Sequence, residues 1–179
     1  MSVYNVRNIL PADNTLLSNG IYLSMLYVNK IPPHLLLIVN GKIWGLSVKG
    51  KQSGEPFEAL LKTISVKKIS SLFFQIDPAA LKLYGLTDEA LIEEIMFKYS
   101  DINGKLTCLS PIKDFFSSSV SAEVIKSSTI FDLLPELYAH CAIKNVYHLF
   151  MERMLINNNV ELKKYSLYDI YSRINQYHI

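Results

Sequence analysis

The chain has few cysteines, only Cys108 and Cys141 among 179 residues. Two cysteines cannot build the disulfide framework of a small secreted domain, and they are not spaced with further ligands as in a metal cluster. We therefore expect two free thiols, no disulfide between them, and no metal or cofactor site.

Excess charge of one sign and long apolar runs are also lacking. Lysine and arginine total 18 against 16 aspartate and glutamate, and a net charge of +2 gives little attraction toward nucleic acid. The longest apolar runs, residues 35–39 and 69–76, fall far short of the roughly 20 residues that span a bilayer. The first twenty residues include Arg7 and Asp13 and show no secretory signal. These absences predict a cytoplasmic protein with no membrane span and no nucleic-acid partner.

Half of the residues are apolar, which at this length favours one globular domain over residues 1–179. The strongest local signal is Asn40-Gly41, because both residues accept the positive φ that a type I′ hairpin turn requires. Val39 then pairs with Lys42 across the turn. Counting outward from that pair places His34 opposite Ser47, with Cβ atoms about 4.5–5.5 Å apart. A serine hydroxyl at that distance is a candidate to orient the imidazole.

The remaining pattern predicts an α+β fold, a small antiparallel sheet with helices packed on it. Strands are expected at residues 21–28, 34–39, 42–47, 69–76 and 105–109, the last ending near Cys108 after a turn at Asn103-Gly104. Helices are expected at residues 57–64, after Thr87, from Ser110, from Asp132 or Thr129 to about 156, and after Ser166. Residues 1–17 are expected to be a loosely ordered lead-in, and residues 49–55 a surface loop.

Several titratable residues receive structural interpretations on these helices. Glu93 and Glu94 fall on the solvent side of the helix after Thr87. A polar stripe recurs every four residues along the predicted long helix, which makes its histidines solvated surface residues: Glu136, His140, Lys144, His148 and Glu152. Cys141 is expected to be a buried small hydrophobe, and His178 a terminal residue without a role.

Two residues with reactive potential remain, His34 at the start of a strand and Cys108 where a strand meets a helix. A thiol near a helix N-terminus has its thiolate stabilised by the helix dipole and by free backbone N–H groups, which can also hold an oxyanion. A nearby imidazole would complete a nucleophile and base pair.

This order of residues resembles the circularly permuted papain-like hydrolases (NlpC-type, YiiX-like). The resemblance covers roughly residues 30–120 and rests on a strand histidine followed by a hairpin and a helix, and then on Tyr99-x-Asp101 ahead of Thr107-Cys108-Leu109-Ser110. It implies Cys108 as nucleophile, His34 as general base and Ser47 as the orienting residue. A serine stands where the family usually has a histidine, a carboxylate or an amide.

Two function classes follow. The first is a thiol hydrolase of an amide or ester bond, acting on a small-molecule, peptide or lipid substrate. The second is a catalytically inactive papain-like or other α+β module for binding or assembly, with a protein partner. In the second class, His34 and Cys108 have packing roles only.

Overall fold

The computed structural model describes residues 2–13, 15–99 and 106–176. This part of the chain contains nine strands and five α-helices, with six strands preceding the first α-helix, which confirms the α+β class. The strands are β1 Val3–Val6, β2 Ile9–Pro11, β3 Ile21–Leu26, β4 His34–Val39, β5 Lys42–Ser47, β6 Gly50–Pro56, β7 Ser71–Ile76, β8 Ile143–Leu149 and β9 Val160–Lys163. The helices are α1 Phe57–Lys67, α2 Asp88–Phe97, α3 Leu109–Ser119, α4 Ile130–Ala139 and α5 Leu167–Gln176.

Seven strands form one sheet in the order β2-β8-β7-β3-β4-β5-β6, and β1 pairs with β9 in a separate two-stranded ribbon. All neighbouring strands are antiparallel except β2 and β8, which are parallel. The sheet is therefore larger than predicted.

The predicted hairpin is confirmed at its turn. Asn40 and Gly41 have φ of 49° and 75°, as a type I′ turn requires. Val39 pairs with Lys42, and the ladder continues outward to Leu37 and Trp44. The hairpin joins β4 and β5, which lie between β3 at the centre of the sheet and β6 at its edge.

Alternation along the strands gives the sheet two apolar faces. Leu35, Leu37 and Val39 of β4 point to what we call the first face, which is covered by α2, α3, α4 and α5 and by the β1–β9 ribbon. Leu36 and Ile38 point to the second face, where α1 packs. The first face carries the larger core and all helices beyond residue 86.

Helix starts follow the predicted capping residues. The Thr87 hydroxyl accepts the N–H of Ala90 at 3.1 Å ahead of α2. Ser166 and Asp169 exchange bonds at the start of α5, where Asp169 Oδ2 accepts the Ser166 N–H at 2.7 Å and Ser166 Oγ accepts the Asp169 N–H at 3.3 Å. α1 begins at Phe57 as predicted and continues to Lys67, beyond the predicted end.

The predicted long helix over residues 129–156 is correct at its start, where α4 begins at Ile130 after the N-cap Thr129, and wrong in its length. α4 ends at Ala139, Cys141 takes a positive φ of 54°, and the chain then enters β8. The four-residue polar spacing therefore straddles a helix and a strand. In β8, the side chains of Val146 and His148 point inward at the strand spacing of two instead.

Four further strands were not predicted, namely β1, β2, β6 and β9. The predicted lead-in contains β1 and β2, whose apolar residues Val6 and Ile9 are buried. The predicted loop at residues 49–55 contains β6, an edge strand, which can stay polar because it covers little of the core.

In the described part of residues 105–109 there is no strand, because α3 begins at Leu109. Asp101, Asn103-Gly104, Lys105 and His178 lie outside the described residues. Among the described helices, none combines the length and apolarity that a membrane span needs.

Candidate functional site

Cys108 is the N-cap residue of α3. Two neighbouring hydroxyls complete this helix start, since Thr107 Oγ1 accepts the Leu109 N–H at 3.2 Å and Ser110 Oγ accepts the Thr107 N–H at 3.0 Å. The helix begins at Leu109, so Cys108 lies closer to it than the predicted cap at Ser110 implied. The expected position of a cysteine before a helix start is confirmed.

The sulfur of Cys108 lies against the first face of the sheet, half-buried in the large core. Burial raises the pKa of its thiol, while the backbone N–H groups of Leu35, Cys108 and Leu109 act in the opposite direction. The net direction is upward. The thiol is therefore protonated at neutral pH.

Tyr165 shares this environment and was missed from the sequence. Its ring is 8% exposed and meets the Phe131 ring edge-on, with centroids 5.0 Å apart. Burial raises the pKa of its hydroxyl, and electrostatic repulsion from the nearby acidic groups of Cys108 and Asp132 raises it further. Nothing in the sequence signals this proximity, because Tyr165 follows Cys108 by more than fifty residues and belongs to the link between β9 and α5.

His34 is the first residue of β4, as predicted, and pairs with Leu26 of β3. Directly opposed residues of an antiparallel pair point to the same face, and Leu26 belongs to the core of the second face. Burial lowers the pKa of the His34 imidazole. Among the described residues, no hydrogen bond joins this imidazole to Cys108 or to Ser47.

Ser47 ends β5, where its hydroxyl closes the tight turn into β6. Ser47 Oγ donates to the Gly50 carbonyl at 3.1 Å and accepts the Lys49 N–H at 3.2 Å. The β4–β5 ladder extends from the turn only to Leu37 and Trp44, so His34 and Ser47 are not ladder partners. An orienting role for Ser47 stays a prediction without a contact to support it.

The three residues predicted to form a catalytic site therefore occupy different places. Cys108 lies on the first face, the His34 side chain belongs to the second face, and the Ser47 hydroxyl is used within its own turn. Consecutive side chains of a strand point to opposite sides of the sheet, so Leu35 lies on the face where Cys108 packs and the imidazole of His34 lies on the other. The Cys108–His34 pair stays a prediction.

Two of the other titratable residues, His148 and Cys141, differ from expectation. His148 lies on β8 and is 6% exposed, with Nδ1 buried and without a hydrogen-bond partner in the described part of the chain. Cys141 is exposed after the end of α4, which corrects its predicted burial. Both errors follow from continuing the helix past Ala139. Glu93 and Glu94 are exposed, as predicted.

A groove opens on the first-face side beside these residues, with a volume of about 280 Å³. One wall is residues 28–31 and Pro33, from the connection between β3 and β4, and the other is Glu161, Leu162 and Lys163 of β9. Its floor contains Met25, Phe131, Met154 and Tyr165. Tyr165 thus belongs both to the surroundings of Cys108 and to the groove.

Cys108 and His34 keep the chain order of the papain-like resemblance, and α3 follows Cys108 as the resemblance requires. Membership of that family stays a prediction, since the order alone does not bring the two side chains together. Comparison of the chain with protein-family models, curated proteins and solved structures finds no match.

Proposed function

We propose that the chain is a catalytically inactive module for binding or assembly. The observation that carries the proposal is the division of the expected catalytic pair between the two faces of the sheet. A cysteine hydrolase needs an imidazole within hydrogen-bond reach of its sulfur to remove the thiol proton. The side chain of His34 belongs to the face opposite Cys108.

The state of the thiol supports the same proposal. A nucleophilic cysteine has a lowered pKa, because the thiolate is the reactive form. Burial outweighs the three N–H donors around Cys108 and raises the pKa of its thiol. A sulfur in this environment packs in the core, and it does not attack a carbonyl carbon.

We place the action of the module in the cytoplasm. Cys108 and Cys141 are both free thiols. Free thiols suit a reducing compartment, where disulfides are rare.

Alkylation with iodoacetamide at pH 8 tests the proposal. The variant Cys141→Ser reports Cys108 alone, and Cys108→Ser reports Cys141 alone. We expect Cys141 to react at the rate of a free thiol and Cys108 to react at least about tenfold more slowly, because burial restricts access and disfavours the thiolate. In urea, which unfolds the chain, the two alkylation rates should become equal. This control shows that the difference in the folded protein does not come from intrinsic reactivity of the two thiols. Faster alkylation of folded Cys108 than of Cys141 below pH 8 would overturn the proposal.

A thiol hydrolase of an amide or ester bond is the second candidate, and one observation favours it. Three backbone N–H groups surround a sulfur at a helix N-cap, and such donors hold an oxyanion in acyl transfer. In this case Cys108 would attack the carbonyl carbon, His34 would take the thiol proton and return it to the leaving group, and water would release the acyl group.

Hydrolysis of p-nitrophenyl acetate separates the two candidates. A hydrolase loses turnover in Cys108→Ala and in His34→Ala and keeps it in Cys141→Ser. An inactive module shows the same slow background hydrolysis in the unmodified chain and in all three variants.

A further inference from the structure

We propose that the groove beside β9 binds an extended peptide of a partner protein, which adds a strand to the free edge of β9. The proposal rests on the proposed function and names the partner class for it. Three observations carry it: the unpaired backbone of β9, the size of the groove and the charges on its rim.

β9 has a partner strand on one side only. Its four residues pair with β1, from Val3–Lys163 to Val6–Val160, and this ribbon has no third strand among the described residues. An antiparallel ladder uses the N–H and C=O groups of alternate residues, so the other residues of β9 direct theirs to the opposite edge. Outside that ladder, Glu161, Leu162 and Lys163 make no backbone hydrogen bond within the described ranges.

The unpaired edge is also the wall of a groove with an apolar floor. Glu161, Leu162 and Lys163 are consecutive and all three line the groove, so the strand as a whole borders it. An edge strand that borders an apolar groove is the arrangement in which proteins bind peptides by strand addition, with main-chain bonds for affinity and pockets for alternate side chains.

The groove has room for side chains of a peptide. Its volume is about 280 Å³, at the lower end of the roughly 300–1,000 Å³ that pockets for small molecules measure. That volume suits one or two apolar side chains, which Met25, Phe131, Met154 and Tyr165 would contact. Methionine and aromatic side chains adapt to different apolar partners.

The rim adds a charge preference. Lys30 on one wall and Lys163 on the other are exposed, against one carboxylate at Glu161. In a strand bound to β9, residues that face away from the floor lie beside these side chains. The rim therefore favours acidic residues at the outward positions of the peptide.

The first experiment is a binding assay with fluorescein-labelled octapeptides, in a pool with Val, Leu or Phe at alternate positions and aspartate at both ends. The best binder is then resynthesised in two forms, with N-methyl groups on the amides of one edge or of the other. A strand pairs through one edge, so we expect one form to lose affinity about tenfold or more and the other to stay within about twofold. Equal affinities of the two forms, or no binding by any member of the pool, would overturn the proposal.

Variants of the full chain locate the site. Lys30→Glu with Lys163→Glu should weaken binding of the selected peptide several-fold, and Met154→Arg should abolish it by placing a charge in the floor. Lys164→Glu is the matched control, because Lys164 is exposed and adjacent to Lys163 but does not line the groove. An equal loss in Lys164→Glu would mean general charge attraction and would contradict a groove site.

The two proposals fail in different assays. Cys108 does not line the groove, so Cys108→Ala should keep peptide affinity. Rapid alkylation of Cys108 with intact peptide binding would sink only the inactive-module proposal. An inert Cys108 without peptide binding would sink only the groove.

Discussion

The two faces of the central sheet differ in how they are covered. Four helices and the β1–β9 ribbon cover the first face, whereas α1 is the one α-helix in the core of the second face within the described chain. Cys108, Tyr165 and the groove all belong to the first face, and His34 belongs to the second. Adjacent residues of one strand can therefore lie in unrelated environments, because their side chains point to opposite faces. A side chain next in sequence to a residue of the first face does not itself reach that face.

The largest expected effect comes from truncating two adjacent phenylalanines that point to opposite faces. Phe74 lies in the first core and Phe73 in the second, and both are fully buried. Phenylalanine to alanine costs about 3–5 kcal/mol, depending on how far the site can collapse. We expect the cost of Phe74→Ala to lie near the upper end of this range, because several elements packed on the first face prevent the cavity from collapsing. Phe73→Ala should lie near the lower end, because α1 alone can settle toward the sheet.

Urea unfolding of both variants measures this difference. Thr63→Ala is the control for a small change in α1, the helix that packs on the second face. The exposed Thr63 hydroxyl bonds only to the Ala59 carbonyl of α1. A larger loss in the free energy of unfolding for Phe73→Ala than for Phe74→Ala would contradict this comparison of the two faces.

A smaller effect is expected from acid, through one histidine on each face. Burial lowers the pKa of both His148 and His34. Below the unfolded pKa of about 6.5, the unfolded chain binds protons that the folded chain does not, so the free energy of unfolding falls as the pH drops. For His148 the carboxylate of Glu152 partly opposes this effect.

His148→Phe should flatten the fall in stability between pH 7 and pH 5 more than His34→Phe does. His148 is nearly inaccessible and has an unpaired Nδ1, so charging it in place costs more. Urea midpoints across this pH range test the order. The exposed His140→Phe is the control, and a slope unchanged by His148→Phe would show that this residue does not set the acid sensitivity.

The smallest effect concerns the ion pair that ties α2 of the first face to the hairpin. Lys42 Nζ and Glu89 Oε2 are 2.6 Å apart, with side chains 49% and 33% exposed. Exposed pairs are worth about 0–1 kcal/mol, so Glu89→Gln should shift stability by less than 1 kcal/mol at low salt and by less still at high salt. Glu93→Gln on the same helix is the control. A loss above about 2 kcal/mol would mean that the pair holds α2 in place.

The elements that could be predicted from the sequence are those with local signals. The turn at Asn40-Gly41 needs two residues with positive φ, and the caps at Thr87 and Ser166 need only neighbouring N–H groups. These requirements act within a few residues. The register near the turn and the start of two helices were therefore correct.

The errors arose where distant contacts decide. β8 follows α4 after a short break, and the polar spacing through His140 and His148 continued across it. β6 and β1 are edge or ribbon strands whose partners set their structure more than their own composition does. At the candidate site, the position of Cys108 before a helix was local and correct. The face to which the His34 side chain turns depends on the pairing with Leu26, which no local pattern specifies.

The β1–β9 ribbon has a consequence for the order of folding. Beside the ribbon, the Asn8 N–H donates to Asn159 Oδ1, a residue 151 positions further along the chain. Closing so long a loop costs entropy that only later contacts repay, so pairings of this span form slowly. The ribbon is expected to assemble last, after the hairpin and its helices have collapsed. A peptide that pairs with β9 would then recognise only chains that have finished folding.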